Sequence, residues 1–168
     1  VRMTYTVPSN MVAVGNGKLR NVITNNDKST YEWFVSNPIN NYNISVQIGN
    51  YVAVQDTFIK DDTIHEMNHY VLDYNKELAS NYFTQSKEVI RFYEKYFGDY
   101  QWYEDGYKLI EVPYLGMEHQ SAVTYGNGFS IYNGERSKSW PMYGVIDPLI
   151  IHETCLLYTS DAADELSC

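Results

Sequence analysis

No run of about eighteen apolar residues occurs anywhere in the 168-residue chain, so no segment is suited to cross a membrane as a helix. Basic residues are scarce: 12 lysines and arginines stand against 21 aspartates and glutamates, a formal net charge of -9. A surface of that sign repels phosphate backbones and argues against a nucleic-acid partner. Cysteine is almost missing. The two present, Cys155 and Cys168, both fall close to the C-terminal end, where one disulfide between them would hint at an oxidising compartment. The opening Val1-Arg2-Met3 has no initiator methionine and no signal-peptide pattern, and the expectation is an internal fragment. Internal repeats and low-complexity segments are also lacking. Aromatic side chains are abundant, 17 of them tyrosine, and charged residues make up only 20%, a globular rather than a disordered composition. The length fits one domain or two small ones.

The first third reads as β-structure. Residues 30–35 are aromatic and β-branched, and the polar cluster of residues 25–29 separates them from residues 19–24, which predicts a hairpin with a loop of moderate length. Residues 43–49 alternate, with Ile44, Val46 and Ile48 expected on one face and Ser45 and Gln47 on the other, as in an antiparallel sheet with one wet side. After a further strand at residues 70–72 the period changes. Leu78, Tyr82, Val89, Tyr93 and Tyr96 or Phe97 recur at helical spacing, and Gly98 is a natural left-handed stop. Residues 107–112 predict another strand, closed by Pro113. Gly126, Gly128 and Gly134 mark loops, and Asp147-Pro148 has the aspartate cap and first-turn proline of a helix start. The fold class is therefore α+β, with expected divisions at residues 1–68, 69–154 and 155–168.

The last division stands apart. The nucleotides TGT CTC TTA TAC ACA TCT GAC GCT GCC GAC, which resemble a transposase adapter read, translate to residues 155–164 in order. The segment is expected to be a non-native tail, although an amphipathic terminal segment has the same composition. Both cysteines belong to it, and the disulfide reading leaves with them.

Two motifs carry chemistry. His152-Glu153 follows Leu149, Ile150 and Ile151 on the expected buried helix. Zinc hydrolases of the His-Glu-x-x-His type place two histidines one helical turn apart, with the glutamate as proton acceptor from a zinc-bound water. Here the second histidine position holds Leu156, which cannot ligate, and His152-Glu153 taken alone reads more readily as a satisfied helical histidine than as a zinc ligand pair. The second motif is Leu115-Gly116-Met117-Glu118-His119. With its flanks from Lys108 to Asn127 it resembles the Gly-x-Met-Glu-Asn edge strand of the aminopeptidase N family of zinc exopeptidases, which includes the leukotriene hydrolases. That family carries its zinc helix about three dozen residues later, as His152-Glu153 stands here. Leu115 replaces the first glycine of the motif and His119 the asparagine.

The resemblance implies a fold and a set of roles. The chain would span the end of an antiparallel β-sandwich domain and the first part of a thermolysin-like catalytic domain. Glu118 would bind the free α-amino group of a peptide, and Gly116 and Met117 would offer backbone groups to it. His152 would be a zinc ligand and Glu153 the general base. It also implies one zinc ion in an intact enzyme and a peptide substrate with a free N-terminus. The fragment itself is expected to be inactive. A solvated strand carboxylate is the plain alternative for Glu118.

His65-Glu66-Met67-Asn68-His69 is a complete His-Glu-x-x-His, and Glu88 stands where a third ligand is expected. It reads as a chance match. Its flank at residues 60–62 is polar, residues 70–74 alternate like a strand, and it precedes the Gly-Met-Glu-His motif instead of following it. A single buried helix facing Glu88 would reverse that reading. Trp33, Trp102 and Trp140 read as core and rim, and Asn43-Ile44-Ser45 is a formal glycosylation sequon. The tyrosine- and asparagine-rich strands also suit a non-catalytic β-rich binding module, the second class of function.

Overall fold

The computed structural model describes residues 1–129 and 146–165, with side chains as far as Tyr158. Gly134, Trp140 and Cys168 lie outside the described residues. In chain order the first strands are β1 (Arg2–Pro8), β2 (Val12–Gly15), β3 (Lys18–Asn25) and β4 (Lys28–Phe34). β4 alternates: Ser29, Tyr31 and Trp33 point inward, and it pairs antiparallel with β1 on one edge and β3 on the other. The predicted hairpin between residues 19–24 and 30–35 is present, but its loop is tighter than expected. Asn25 pairs with Lys28, which leaves a turn of Asn26 and Asp27. Asn26 takes φ 53°, a conformation asparagine tolerates better than most residues.

The strand expected over residues 43–49 is only half there. β5 (Val46–Gly49) pairs antiparallel with β2, whereas Asn41–Asn43 form a 3-10 turn. Side chains take the backbone groups that a longer strand would use. Asn43 N donates to Asn40 Oδ1 at 2.9 Å, Ser45 N donates to Asn16 Oδ1 at 2.8 Å, and Asn43 O accepts from Asn16 Nδ2 at 2.8 Å. Ile44 and Ile48 are consequently exposed, so the expected apolar face does not form.

The remaining elements are β6 (Tyr51–Val54), β7 (Thr57–Lys60), β8 (Thr63–Glu66), β9 (His69–Leu72), α1 (Lys76–Tyr82), α2 (Gln85–Phe97), β10 (Leu109–Glu111), β11 (Gly116–Met117), β12 (Val123–Tyr125) and α3 (Pro148–Glu165). Their centre is a mixed sheet in the order β11-β12-β10-β9-β6. β10 lies parallel to β12 and β9, and both outer pairings are antiparallel. The sheet is covered on both faces, which explains why its strands read as unbroken apolar runs. Tyr51, Tyr70 and Ile110 pack with Val7, Val14 and Trp33 of the first layer. Val71, Leu109, Val123 and Tyr125 pack on the opposite side with Phe83, Ile90 and Ile150 of the helical segments. The α+β class is as expected, and Trp33 is core, with Nε1 donating to Ala13 O at 2.9 Å.

The helical run from Leu78 to Phe97 is two helices, not one. Around Phe83 and Thr84, side chains bond back to the carbonyls: Thr84 Oγ1 to Asn81 O at 2.6 Å, Gln85 Nε2 to Tyr82 O at 2.8 Å, and Ser86 Oγ to Phe83 O at 2.6 Å. Such bonds offer the backbone an alternative to the helix ladder. Tyr82, Val89 and Tyr93 are buried as their spacing predicts, whereas Tyr96 and Phe97 are exposed. Gly98 does stop α2, with φ 93° and ψ -177°, so it occupies the extended region open to glycine rather than the left-handed helical one. The predicted strand at residues 107–112 is shorter, Leu109–Glu111. Among the described residues no helix is long and apolar enough to cross a membrane.

The residues of the complete His-Glu-x-x-His motif do not share a helix. His65 and Glu66 lie on β8 and His69 on β9. The His65 ring stacks on Tyr103 at 4.0 Å between centroids, and Glu88 is exposed and pairs with Arg91. His69 is fully buried, and its Nδ1 accepts from Leu109 N at 3.0 Å, tying β9 to β10.

Burial pulls the His69 imidazole down to about 3, so it is neutral in the folded chain. An unfolded histidine takes up its proton near pH 6.5. Between pH 6.5 and about 3 the unfolded state therefore binds more protons, and stability falls as pH falls, by at most about 1.4 kcal/mol per pH unit from this group. Urea titrations across that window are expected to show the decline, and His69→Gln, which retains an acceptor for Leu109 N, is expected to flatten it.

Candidate active site

Asp147 fixes where α3 begins. Its side chain is fully buried and accepts from Leu149 N at 2.8 Å, capping the helix, as the Asp147-Pro148 pair predicts. The same carboxylate accepts from Tyr125 Oη of β12 at 2.7 Å, from Asn127 Nδ2 at 3.0 Å, and from the Tyr82 hydroxyl of α1. Asp147 N donates to Gln85 Oε1 at 2.6 Å. The carboxylate thus joins the start of α3 to β12 and α1, the Asp147 backbone N–H joins it to α2, and α3 then lays its second turn against the sheet edge.

That edge is β11. Gly116 pairs with Tyr125 and Met117 with Thr124, and the far side of β11 is the end of the sheet, as the edge-strand reading expects. Glu153, only 5% exposed, faces this strand. A Cβ built on Gly116 would stand 3.0 Å from Glu153 Oε1, 2.9 Å from Thr124 O and 3.1 Å from Leu149 Cδ1. Gly116 is therefore the residue that lets the carboxyl of Glu153 close on the edge strand. Burial, and secondarily the charge of Glu118, push the Glu153 carboxyl up to about 7. A carboxyl poised near neutrality can exchange a proton with a reacting group at working pH.

Glu118 is half-buried just beyond β11, and its Oε1 accepts from Tyr42 Oη at 2.9 Å. Ionising that phenol beside Glu118 would break the bond and set two anions together, so its proton is held more tightly than in a free tyrosine. Burial holds the His119 ring toward its neutral form. Its Nδ1 is buried without a partner among the described residues. Residues 118–121 are bolted to the first layer by buried polar groups. Asn16 Nδ2 donates to Gln120 O at 2.7 Å, Gln120 N donates to Asn43 Oδ1 at 3.2 Å, and Gly17 N donates to Ser121 Oγ at 2.8 Å. Lys108 Nζ donates to Gly17 O and Ser121 O, both at 2.6 Å, and burial brings its ammonium down to about 7. With its Oδ1 engaged in this interface, the Asn43 sequon has a side chain already committed.

The structure thus brings Glu153, Gly116, Met117 and Glu118 to one sheet edge. His152 neighbours Glu153 on α3 with an exposed side chain. The donor set does not fit a zinc ion. Leu156 occupies the position one turn after His152, and among the described residues no group of three His, Cys, Asp or Glu side chains could hold a metal. Sequence reasoning missed Tyr42 and the polar interface of Asn16 and Lys108. The alternation of residues 43–49 drew attention to a strand, whereas the dense asparagines at positions 40, 41 and 43 were the signal of a side-chain-built turn.

No family model matches the chain. Among curated proteins, the transcription initiation factor TFIID subunit 2 of Gallus gallus is 31% identical over 96 residues, covering 56% of this chain and 8% of that protein. Its Drosophila melanogaster counterpart is 33% identical over 96 residues with the same coverage. The chain therefore spans only 8% of the length of these relatives. Among solved structures, the M1 zinc metallopeptidase from Deinococcus radiodurans matches with a TM-score of 0.65 at 14% identity, over 78% of this chain and 31% of that one. Its form bound to a Tyr-Ser-Ala substrate gives 0.59 at 14% identity, over 74% and 29%. A two-domain M1 zinc metallopeptidase bound to L-tryptophan gives 0.66 at 13% identity, over 90% and 33%. The chain has the fold found in this part of the M1 zinc metallopeptidases.

Two substitutions test the geometry. Asp147→Ala, which leaves the Tyr82, Tyr125 and Leu149 donors buried and unpaired, is expected to lower stability by about 3–5 kcal/mol in thermal or urea unfolding. Gly116→Ala is expected to cost about 1–3 kcal/mol by overpacking and to displace the Glu153 side chain. The second effect is read as a changed carboxyl titration of Glu153 by carbon NMR, and an unchanged titration would contradict the contact.

Proposed function

We propose that this chain is part of a zinc-dependent metallo-aminopeptidase that removes N-terminal residues from peptides, and that it carries the edge that recognises the substrate. The observation that supports this best is the convergence of Glu118 and the buried Glu153 on the two-residue edge strand Gly116–Met117. An open strand edge accepts an extended peptide by main-chain hydrogen bonds. Glu118 sits at the end of that edge, where a carboxylate pairs strongly with a free α-ammonium group. Gly116 and Met117 offer the backbone, and Glu153, near neutral in its proton affinity, takes a proton from the attacking water. His152 is assigned as a metal ligand by the position of its motif, and zinc would supply Lewis-acid polarisation of the scissile carbonyl in the intact enzyme. The residues present do not complete that site, so the chain by itself is proposed to be inactive.

A second reading is favoured by a specific observation. The curated relatives are named as transcription initiation factor subunits rather than peptidases. On that reading the same fold serves as a non-catalytic β-rich binding module.

The two readings separate on ligand preference. The chain is expected to bind L-phenylalanine amide in preference to N-acetyl-L-phenylalanine amide, and Glu118→Gln is expected to remove most of that preference. Zinc titration is expected to show no tight site, and an aminoacyl-anilide no zinc-dependent hydrolysis. Equal binding of both amides would favour the binding module, and measurable zinc-dependent turnover by this chain would overturn its assignment as inactive.

A further inference from the structure

We infer that Tyr42, contributed by the 3-10 turn of the first layer, is a positioning residue of the α-amine site: its hydroxyl fixes one oxygen of Glu118 and leaves the other for the substrate's ammonium. The inference rests on the reading of Glu118 as the amine-binding group.

Tyr42 stands 76 residues before Glu118, yet the glutamate of the edge-strand motif holds its hydroxyl. Glu118 Oε1 accepts from its hydroxyl at 2.9 Å. The turn that carries Tyr42 is built for that placement. Asn40 Oδ1 caps it, the fully buried Asn16 holds Asn43 O at 2.8 Å, and Asn43 Oδ1 receives Gln120 N at 3.2 Å. Residues on either side of the Tyr42–Glu118 contact are thereby fixed to each other, 42 through 43 and 118 through 120, so the contact is not a chance meeting of two mobile surface groups. The ring itself is 59% exposed. It contributes little to the core, and its place in the fold depends on the backbone network rather than on packing of the ring.

The chemistry follows from the inventory of a carboxylate, which has two oxygens and about four acceptor sites. A free glutamate beside solvent samples several rotamers, and an ammonium binding to it must select one. A hydroxyl on Oε1 makes that selection beforehand, so less order is lost on binding. The phenol donates without bringing positive charge, so Glu118 keeps its attraction for a cation. Tyr42 is also sensitive to Glu153 as well as Glu118, which places its hydroxyl in the field of both carboxyls of the site.

The test compares the full 168-residue chain with Tyr42→Phe, Tyr42→Ala and Glu118→Gln, using L-phenylalanine amide and N-acetyl-L-phenylalanine amide as probes in NMR titrations. Tyr42→Phe keeps the ring and removes only the hydroxyl. It is expected to weaken amine binding by about 3- to 10-fold, the range of one charge-assisted hydrogen bond acting at a partly exposed site, with no change for the acetylated probe and none in thermal stability. In the parent chain the Tyr42 ring-carbon resonance is expected to titrate at lower pH once the amine is bound, because the ammonium offsets the charge of Glu118. Wild-type amine binding in Tyr42→Phe, together with loss of preference in Glu118→Gln, would overturn the inference and leave the Glu118 assignment standing. An amine preference that survives Glu118→Gln would overturn both. An equal weakening for both probes in Tyr42→Ala and Tyr42→Phe would assign Tyr42 to shape alone and would also overturn the inference.

Discussion

The carboxylate of Asp147 is the contact on which the site depends. It sits in a fully buried position yet gathers donors from Tyr82, Tyr125, Asn127 and the first turn of α3. A buried anion is costly unless its lone pairs are filled, and here each donor comes from a different part of the fold. Filling them sets the start of α3 relative to β12. Because β12 pairs with β11, the same contact decides how far along the edge strand Glu153 falls. A shift of one residue in the helix start would rotate Glu153 by about 100° away from the edge. The chemistry of the edge is therefore governed by a cap one and a half turns away.

The central sheet imposes the second constraint. With both faces buried, it joins the first layer to the helices through strands that are mostly apolar, as Tyr70 and Val71 of β9 and Leu109 and Ile110 of β10 are. The polar groups needed to hold the loops of the two sides together are displaced to the ends of the strands. Lys108, just before β10, and Asn16, just after β2, do that work by donating to carbonyls of residues 17, 43, 120 and 121. Neither makes an ion pair among the described residues with a carboxylate, so their contribution lies in geometry: they order backbone that has no ladder of its own. The segment they order is the one that follows Glu118.

Much of this was legible from residue order. The hairpin of β3 and β4, the strand at β9 and the helix start at Asp147-Pro148 each follow from local patterns whose physics is local, alternation, a cap, a turn, whereas the edge-strand placement of Gly116 and Met117 came from the family resemblance. The places where the reading failed share a cause. At residues 43–45, at Phe83 and Thr84 and at Gly98, side chains or a backbone conformation compete with regular secondary structure; at residues 43–45 the competitor, Asn16, lies far away in sequence, whereas at Phe83 and Thr84 the competing bonds are local, three residues apart. Tyr42 was not legible at all, because its partner is Glu118 and nothing near residue 42 announces a carboxylate. The rejection of the complete His-Glu-x-x-His at residues 65–69 was legible, since its flanks alternate like strands and its two histidines do lie on separate strands.

The two carboxyls of the edge occupy unlike surroundings, and under the proposed function that difference would divide their work. Glu153 is buried against Gly116, where desolvation raises its proton affinity toward neutrality. Glu118 remains half-buried with a hydroxyl already on one oxygen. Two like groups set close together interact unfavourably, and the site relieves this by letting one approach neutrality while the other stays available to a cation. A ligand ammonium at Glu118 would cancel part of the field that Glu153 feels and draw its proton affinity down. Substrate recognition at the amine end would then prepare the proton acceptor at the other end of a two-residue strand. That coupling needs no movement of the backbone, only the fixed spacing that Asp147, Gly116 and the polar interface together provide.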